Sequence, residues 1–329
     1  MFDWLFSHCT ICGTRKDLII VEGESDSQNI LLCNACASKE LQKRYNKSNS
    51  VKDSGWNELI TPKTFKDYIG QESIKNELQT MLNANRVHGI SVQHCLFSGG
   101  FGLGKTSVAK IFADMIGNYS FVVGGNIKDK DDFPTTPVVV VDEIHTMKNE
   151  EWLLGIMDAG RQTILGTTTT AGSLSGPLRS RFVSLVLEPY NVDELQRMVN
   201  GAAKNLRYSC PSFVSKEVAQ RGKCIARVAL FLFKRVYDRA ILNKQVTPAI
   251  LKQWFEDMKI DPDGLDNADR AYLNCLSTTP AGIQYLTAMT GLDRITLEEM
   301  VEPYLLNKGF VKRTPRGRVL GSREVAKVW

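Results

Sequence analysis

No apolar run in the 329-residue chain approaches the roughly 20 residues that a helical membrane span requires. The N-terminal stretch MFDWLFSHCTIC lacks both the basic segment and the long apolar segment of a signal peptide. These absences predict a cytoplasmic protein. Internal repeats and long low-complexity segments are also missing, which sets aside solenoids and disordered tethers. Even the unusual stretch GRQTILGTTTTAGSLSGPLRSRF, residues 160–182, offers no acid–base pair, no activated nucleophile and no cluster of metal ligands. It carries instead a row of threonines after a strand-like run, then two arginines.

What is present describes a soluble globular protein of two or three domains, with 43% apolar and 23% charged residues. The net charge of +5 is unevenly placed. From Lys308 to Trp329 seven basic residues face one acid, an excess larger than that of the whole chain. Such a local surplus favours a polyanionic partner, with a solvated tail as the plain alternative. The eight cysteines divide into two kinds. Cys95, Cys210, Cys224 and Cys275 are scattered and are expected as reduced thiols in mostly apolar surroundings. Cys9, Cys12, Cys33 and Cys36 form two C-x2-C pairs separated by twenty residues, the spacing of a tetrahedral thiolate zinc site. A redox C-x-x-C pair is the alternative. Zn2+ would replace the core that residues 1–45 are too few to build.

Residues 46–60 are polar and predict a linker. From Thr61 to Tyr190 the runs HCLF, YSFVV, PVVVVD, TILGTTT and VSLVL alternate with helical patterns, which predicts a parallel sheet covered on both faces by helices. Residues 191–259 are mostly helical, opened by Asn191 with Glu194 as a capping box and continued by Thr247-Pro248 as a cap with its N1 proline. In residues 260–329, Asp266, Thr279-Pro280 and Thr296 each predict a helix start, the last with Glu299 as a second capping box. FVKRTPRGRVL then predicts a basic hairpin, so the segment has the outline of a winged helix.

GGFGLGKTS carries Gly99, Gly104, Lys105 and Thr106 in the spacing of a phosphate-binding loop, between a strand and a helix. Glycines let backbone N–H groups wrap phosphates, Lys105 adds charge at the β- and γ-phosphates, and Thr106 is placed to ligate Mg2+. Gly102 and Ser107 complete the expected cradle. In VVVVDEIH a buried strand delivers Asp142 for Mg2+ and Glu143 to activate the attacking water. Thr167 or Thr168 would reach the γ-phosphate from the neighbouring strand. Arg181, beyond it on a short helical turn, would complete the site of another subunit.

With these residues the chain resembles the RuvB family, the AAA+ motors of Holliday-junction branch migration, from about Thr61 to the C-terminus. The most specific strings are FKDYIGQESIKNEL, GLGKTSVA, VDEIH, the threonine–arginine stretch, DPDGLDNADR and EPYLLNKGFVKRTPRGR. The resemblance implies an AAA+ ATPase domain (61–190), a helical lid (191–259) and a winged helix (260–329). It implies ATP hydrolysis with Mg2+, branched duplex DNA as partner, and a ring of identical subunits, a hexamer. It puts Tyr68, Ile69 and Tyr190 near the nucleotide, Thr168 at sensor 1, Arg181 at the arginine finger and Arg227 at sensor 2. It also implies DNA contacts from Arg294, Arg313 and Arg318, with Arg316 adjacent. Departures are Gly100 and Phe101 where the family has prolines, Thr170 and Phe231 where it has arginines, and the added zinc module. The largest lies between Met157 and Thr163, where DAGRQ replaces the family's β-hairpin for RuvA. A conventional RuvA contact is therefore not expected. A DNA loader, or an ATP-gated adaptor recruiting through the zinc module, stands as the alternative to a motor.

Overall fold

Five apolar runs become the five strands of one parallel sheet. The structure, a computed structural model, describes residues 18–22, 29–33, 55–89, 91–148, 150–242 and 245–322. The chain divides into two compact units, Met1–Glu58 and Leu59–Trp329. In the first, β1 (Leu18–Glu22) and β2 (Asn29–Cys33) form an antiparallel hairpin with Leu18 opposite Cys33. Cys9, Cys12, Cys36 and the side chain of Cys33, the expected zinc ligands, lie outside the described residues. Among the described residues no group of three or more His, Cys, Asp or Glu side chains is arranged to hold a metal. None of the described helices is long and apolar enough to cross a membrane.

The second unit is built on β3 (Cys95–Ser98), β4 (Tyr119–Val123), β5 (Val138–Asp142), β6 (Thr163–Thr168) and β7 (Val183–Val186). Their order across the sheet is β4-β5-β6-β3-β7. Side chains alternate between two cores, as the pleat requires. Phe97, Val138, Val140 and Leu165 face one, with Phe112 and Leu78 from the helices Lys105–Ile116 and Glu72–His88. Leu96, Val139, Val141 and Ile164 face the other, with Leu153 and Leu178. Burial on both faces explains why these strands are continuous apolar runs rather than alternating ones. Each such side chain contributes about 1.5–3 kcal/mol by leaving water.

Four helices follow, Val192–Asn205, Ser212–Gln220, Ala226–Leu242 and Pro248–Asp257. The Asn191–Glu194 capping box is formed, and Thr247 caps the helix that Pro248 opens. The C-terminal element has helices Asn267–Asn274 and Ile283–Thr290. A third begins as Arg294–Thr296, passes through a π-helical turn at Leu297–Val301 and continues as Glu302–Asn307. The antiparallel pair β8 (Val311–Thr314) and β9 (Gly317–Leu320) completes a winged helix around Tyr272, Leu286, Leu297, Leu305 and Phe310.

Two helix starts differ from expectation. Thr279-Pro280 opens no helix, because Ala281 exchanges two backbone hydrogen bonds with Arg318 of β9 and is held extended, so the helix begins at Ile283. The cap of the third helix is Asp293 rather than Thr296. Its carboxylate takes both the amide (2.9 Å) and the hydroxyl (2.6 Å) of Thr296, which places Thr296 inside the helix. The four described cysteines are free, but only Cys95 is fully buried; Cys210, Cys224 and Cys275 are half-buried. Burial pushes the Cys95 thiol up to about 12 and that of Cys210 up to about 11, so both stay protonated and inert.

Candidate active site

The loop between β3 and the helix Lys105–Ile116 is shaped by left-handed glycines. Gly102 (φ 73°) packs so closely on the strap before Ala226–Leu242 that a Cβ there would lie 2.7 Å from Ile225 Cγ2 and 2.9 Å from Arg227 Cβ. Gly104 (φ 89°) precedes the helix, and no side chain caps the helix N-terminus. Its first N–H groups are thus left for an incoming acceptor, and the helix dipole makes that acceptor an anion. Lys105 is buried, and its Nζ donates to Gly99 O (3.0 Å) and Gly100 O (2.9 Å). Burial lowers the Lys105 pKa, opposed by the charges of Glu143 and Asp142. Ser107 follows, half-buried, in the first turn.

Three side chains meet at the ends of β5 and β6. Asp142 Oδ1 accepts from Thr106 Oγ1 at 2.6 Å and from Thr167 Oγ1 at 2.7 Å. Thr167 Oγ1 also accepts the amide of Glu143 (3.1 Å). Glu143 is left-handed (φ 48°, ψ 53°), a conformation that costs a side-chain-bearing residue about 1–2 kcal/mol. Thr146 holds it there, donating to Glu143 O through its amide (2.9 Å) and its hydroxyl (2.7 Å). The Glu143 Oε2 atom is buried and accepts no hydrogen bond, with His145 Nδ1 3.3 Å away.

Thr168 behaves differently from its neighbours. It is fully buried, and its hydroxyl is engaged by His145 Nδ1 (3.0 Å) and the Thr170 amide (3.0 Å). Thr169, the next residue, is half-buried, and its hydroxyl has no partner among the described residues. Sequence reading missed both His145 and Thr169.

Tyr68 and Tyr190 lie beneath the loop rather than beside it. Their hydroxyls are 3.3 Å apart, and Tyr190 Oη donates to Leu103 O at 2.8 Å. Burial raises both phenols, which therefore stay neutral and brace the loop. Ile69 is half-buried next to them. Arg227 donates its amide to Gly102 O (3.3 Å), and its guanidinium sits over the Phe101 ring, 4.4 Å from the centroid. The Phe101 departure thus adds a cation–π contact that a proline ring does not provide. Arg181, at the end of the turn Gly176–Ser180, forms a bidentate pair with Asp158, which holds the Asp158 carboxyl below its usual range.

The winged helix separates its arginines into two groups. Glu302 is fully buried. Its carboxylate accepts from Arg318 Nε (2.9 Å), Tyr272 Oη (2.7 Å) and Arg313. Arg318 also pairs with Glu298 at 3.0 Å and is only 13% exposed. A buried carboxylate needs such partners, so Arg318 has an interior role that its place in a basic hairpin does not reveal. Arg313 (54% exposed) and Arg294 (68%) keep part of their guanidinium in solvent, and Arg316 stands exposed at the hairpin tip.

Residues 60–160 match the family described as Holliday junction DNA helicase RuvB P-loop domain, and residues 262–326 match the RuvB C-terminal winged helix domain. The Holliday junction branch migration complex subunit RuvB of Staphylococcus haemolyticus is 33% identical over 296 residues, covering 79% of this chain and 89% of the relative. That of Thermotoga petrophila is 33% identical over 307 residues, covering 82% and 92%. Among solved structures, the Thermotoga maritima RuvB Holliday junction branch migration motor superimposes with a TM-score of 0.75 at 33% identity, over 80% of this chain and 96% of that one. With a phosphate loop, an acidic strand end and a winged helix in that chain order, this protein belongs to the RuvB family.

Proposed function

We propose that this protein is an ATP-driven motor that moves branch points in four-way DNA junctions, working in the cytoplasm as a ring of identical subunits, six by analogy with its family. The observation that carries the reading is the convergence of the Thr106 and Thr167 hydroxyls on one carboxylate oxygen of Asp142, beside an uncapped helix N-terminus and a buried lysine. The reading assigns residues 61–190 to ATP hydrolysis, 191–259 to a lid and 260–329 to DNA.

Gly99, Gly102, Gly104, Lys105 and Ser107 would cradle the phosphates, with Tyr68, Ile69 and Tyr190 shaping the base of the nucleotide site. The hydroxyl of Thr106 and the carboxylate of Asp142 are hard oxygen donors that suit Mg2+. When bound, Mg2+ neutralises charge on the phosphate oxygens. Glu143, the carboxylate that follows Asp142 at the end of β5, takes the proton of the attacking water. Thr169, rather than Thr168, is the better candidate to meet the γ-phosphate, because Thr168 is already engaged. Arg227 reports the γ-phosphate to the lid, and Arg181 reaches the site of the adjacent subunit. Arg294, Arg313 and Arg316 hold DNA phosphates, which makes binding salt-sensitive and weakly dependent on sequence.

The test is conversion of a synthetic four-way junction by the purified protein with ATP. Wild type should convert it and Glu143→Gln should not. Loss of conversion with DNA-stimulated ATPase intact would favour the second reading, a DNA loader. That reading has one observation in its favour: only Ala159–Gln162 separate the helix Glu151–Asp158 from β6, where RuvB relatives carry the hairpin for RuvA.

Zinc in residues 1–45 belongs to the same proposal, and the module it orders is a candidate recruiter in place of a RuvA contact. Support comes from the cysteine spacing and from β1–β2, whose register sets Cys33 opposite Leu18, six residues after Cys12. About one zinc per chain is expected by elemental analysis, falling to background when Cys9 and Cys33 are replaced by serine. Metal-free protein that keeps its thiols reduced and its fold would refute this.

A further inference from the structure

The connection that lacks the family hairpin ends on a carboxylate, and that carboxylate holds Arg181. Arg181 Nε donates to Asp158 Oδ1 and Nη2 to Oδ2, both at 2.7 Å, while Nη1 donates to Pro177 O at 2.9 Å. A guanidinium has five N–H donors in a rigid plane. Three are used here, leaving one on Nη1 and one on Nη2. Asp158 occupies the edge shared by Nε and Nη2, and each Nη atom keeps one donor for a further acceptor. Such donors suit the oxygens of a phosphate.

Asp158 is itself fixed in place. The helix Glu151–Asp158 ends on it, and β6 begins five residues later. His94 spans both sides of this connection: its Nδ1 accepts the Ile164 amide at 3.0 Å, and Nε2 lies 3.4 Å from Met157 O. Burial lowers the His94 pKa and keeps the ring neutral, as the accepting Nδ1 requires. Gln162 Nε2 ties the same connection to Pro134 O (2.8 Å) and Thr136 O (2.7 Å). These bonds hold the short connection, and Asp158 at its start, in place.

We infer that Asp158 is a positioning residue for Arg181: it clamps one edge of the guanidinium so that the remaining donors are presented to the γ-phosphate of a neighbouring subunit. The inference rests on the reading of Arg181 as a residue that acts in trans. Asp158 is exposed, so the pair is solvated and its value lies in orientation rather than in stability. A long flexible side chain left to itself samples many rotamers, and a misplacement of about 1 Å at a reacting group is worth up to ~100-fold in rate.

The experiment compares steady-state ATP turnover of wild type, Asp158→Asn and Arg181→Ala, each alone and mixed with Lys105→Ala subunits. Asp158→Asn should lower kcat by about 10- to 100-fold with little change in the KM for ATP. Mixing it with Lys105→Ala subunits, whose sites are dead but whose Arg181 and Asp158 are intact, should restore turnover per active site. Unchanged turnover would overturn the inference, and raised turnover would make Asp158 a latch that withholds the arginine. A defect that mixing does not relieve would mean that Asp158 supports its own subunit's site or fold. Full turnover by Arg181→Ala would instead remove the reading beneath the inference.

Discussion

Arg181→Ala should bind ATP as wild type does and hydrolyse it about 10^3-fold or more slowly, the scale of losing a charge that neutralises the transferring phosphoryl group. The residue lies away from the phosphate loop of its own chain. It sits past the end of β6 on a short turn, paired with Asp158, and 30% of its side chain is exposed. Among the described residues its guanidinium bonds Asp158 and Pro177, not Lys105 or Asp142, so on this reading its effect on hydrolysis passes between subunits. Two defects should then complement each other. Lys105→Ala subunits cannot hold nucleotide but still supply an arginine, whereas Arg181→Ala subunits hold nucleotide and supply none. Mixed rings should recover part of the lost turnover. Two inactive proteins that stay inactive when mixed would argue against action in trans.

Glu143→Gln should trap the protein with ATP bound, lowering turnover by about 10^2- to 10^4-fold, the usual range for removing a general base. Glutamine has the same shape and keeps the backbone arrangement, in which Thr167 receives the Glu143 amide and Thr146 binds its carbonyl. What it lacks is a carboxylate to take a proton. Glu143 Oε2 accepts no hydrogen bond, so the contact altered there is its 3.3 Å approach to His145 Nδ1. Near-normal hydrolysis by this variant, measured as phosphate release in a single turnover, would show that the proton goes elsewhere, with His145 the nearby titratable group.

Legibility in the sequence followed the range of the interaction. The strand Val138–Asp142 was readable because burial on both faces forces a valine run, and the caps at Asn191, Thr247 and Asp266 because each is closed within three residues of chain. The start assigned to Thr279-Pro280 misled because β9, almost forty residues on, claims the Ala281 backbone. The phosphate loop was legible as a string, but its braces were not. Tyr68 and Tyr190 reach it from far away in the chain, and Phe101 meets Arg227 only once the helix Ala226–Leu242 has docked. Arg318 shows the same limit. A basic hairpin announces DNA, yet only packing reveals that Glu302 holds two of its arginines, Arg313 and Arg318. Asp158 and Arg181 lie 23 residues apart on different elements, with no local pattern to pair them.

The strap from Arg221 to Arg227 has a further consequence. Gly264 rests against the Arg221 backbone, and Lys223 Nζ bridges Asp266 (2.8 Å) and Asp269 at the first turn of the winged helix. The Cys224 carbonyl accepts the Tyr190 amide (2.9 Å), and Arg227 is bonded to Gly102 in the phosphate loop. Lys223 and Cys224 are both left-handed, with φ of 52° and 60°. Seven consecutive residues are therefore tied in register to the ATP site at one end and to the DNA-facing element at the other, with no slack between. A single residue added here would unthread one attachment or the other. The strap therefore acts as a fixed-length rod between nucleotide and DNA, and its span rather than its side-chain chemistry is what the two attachments demand.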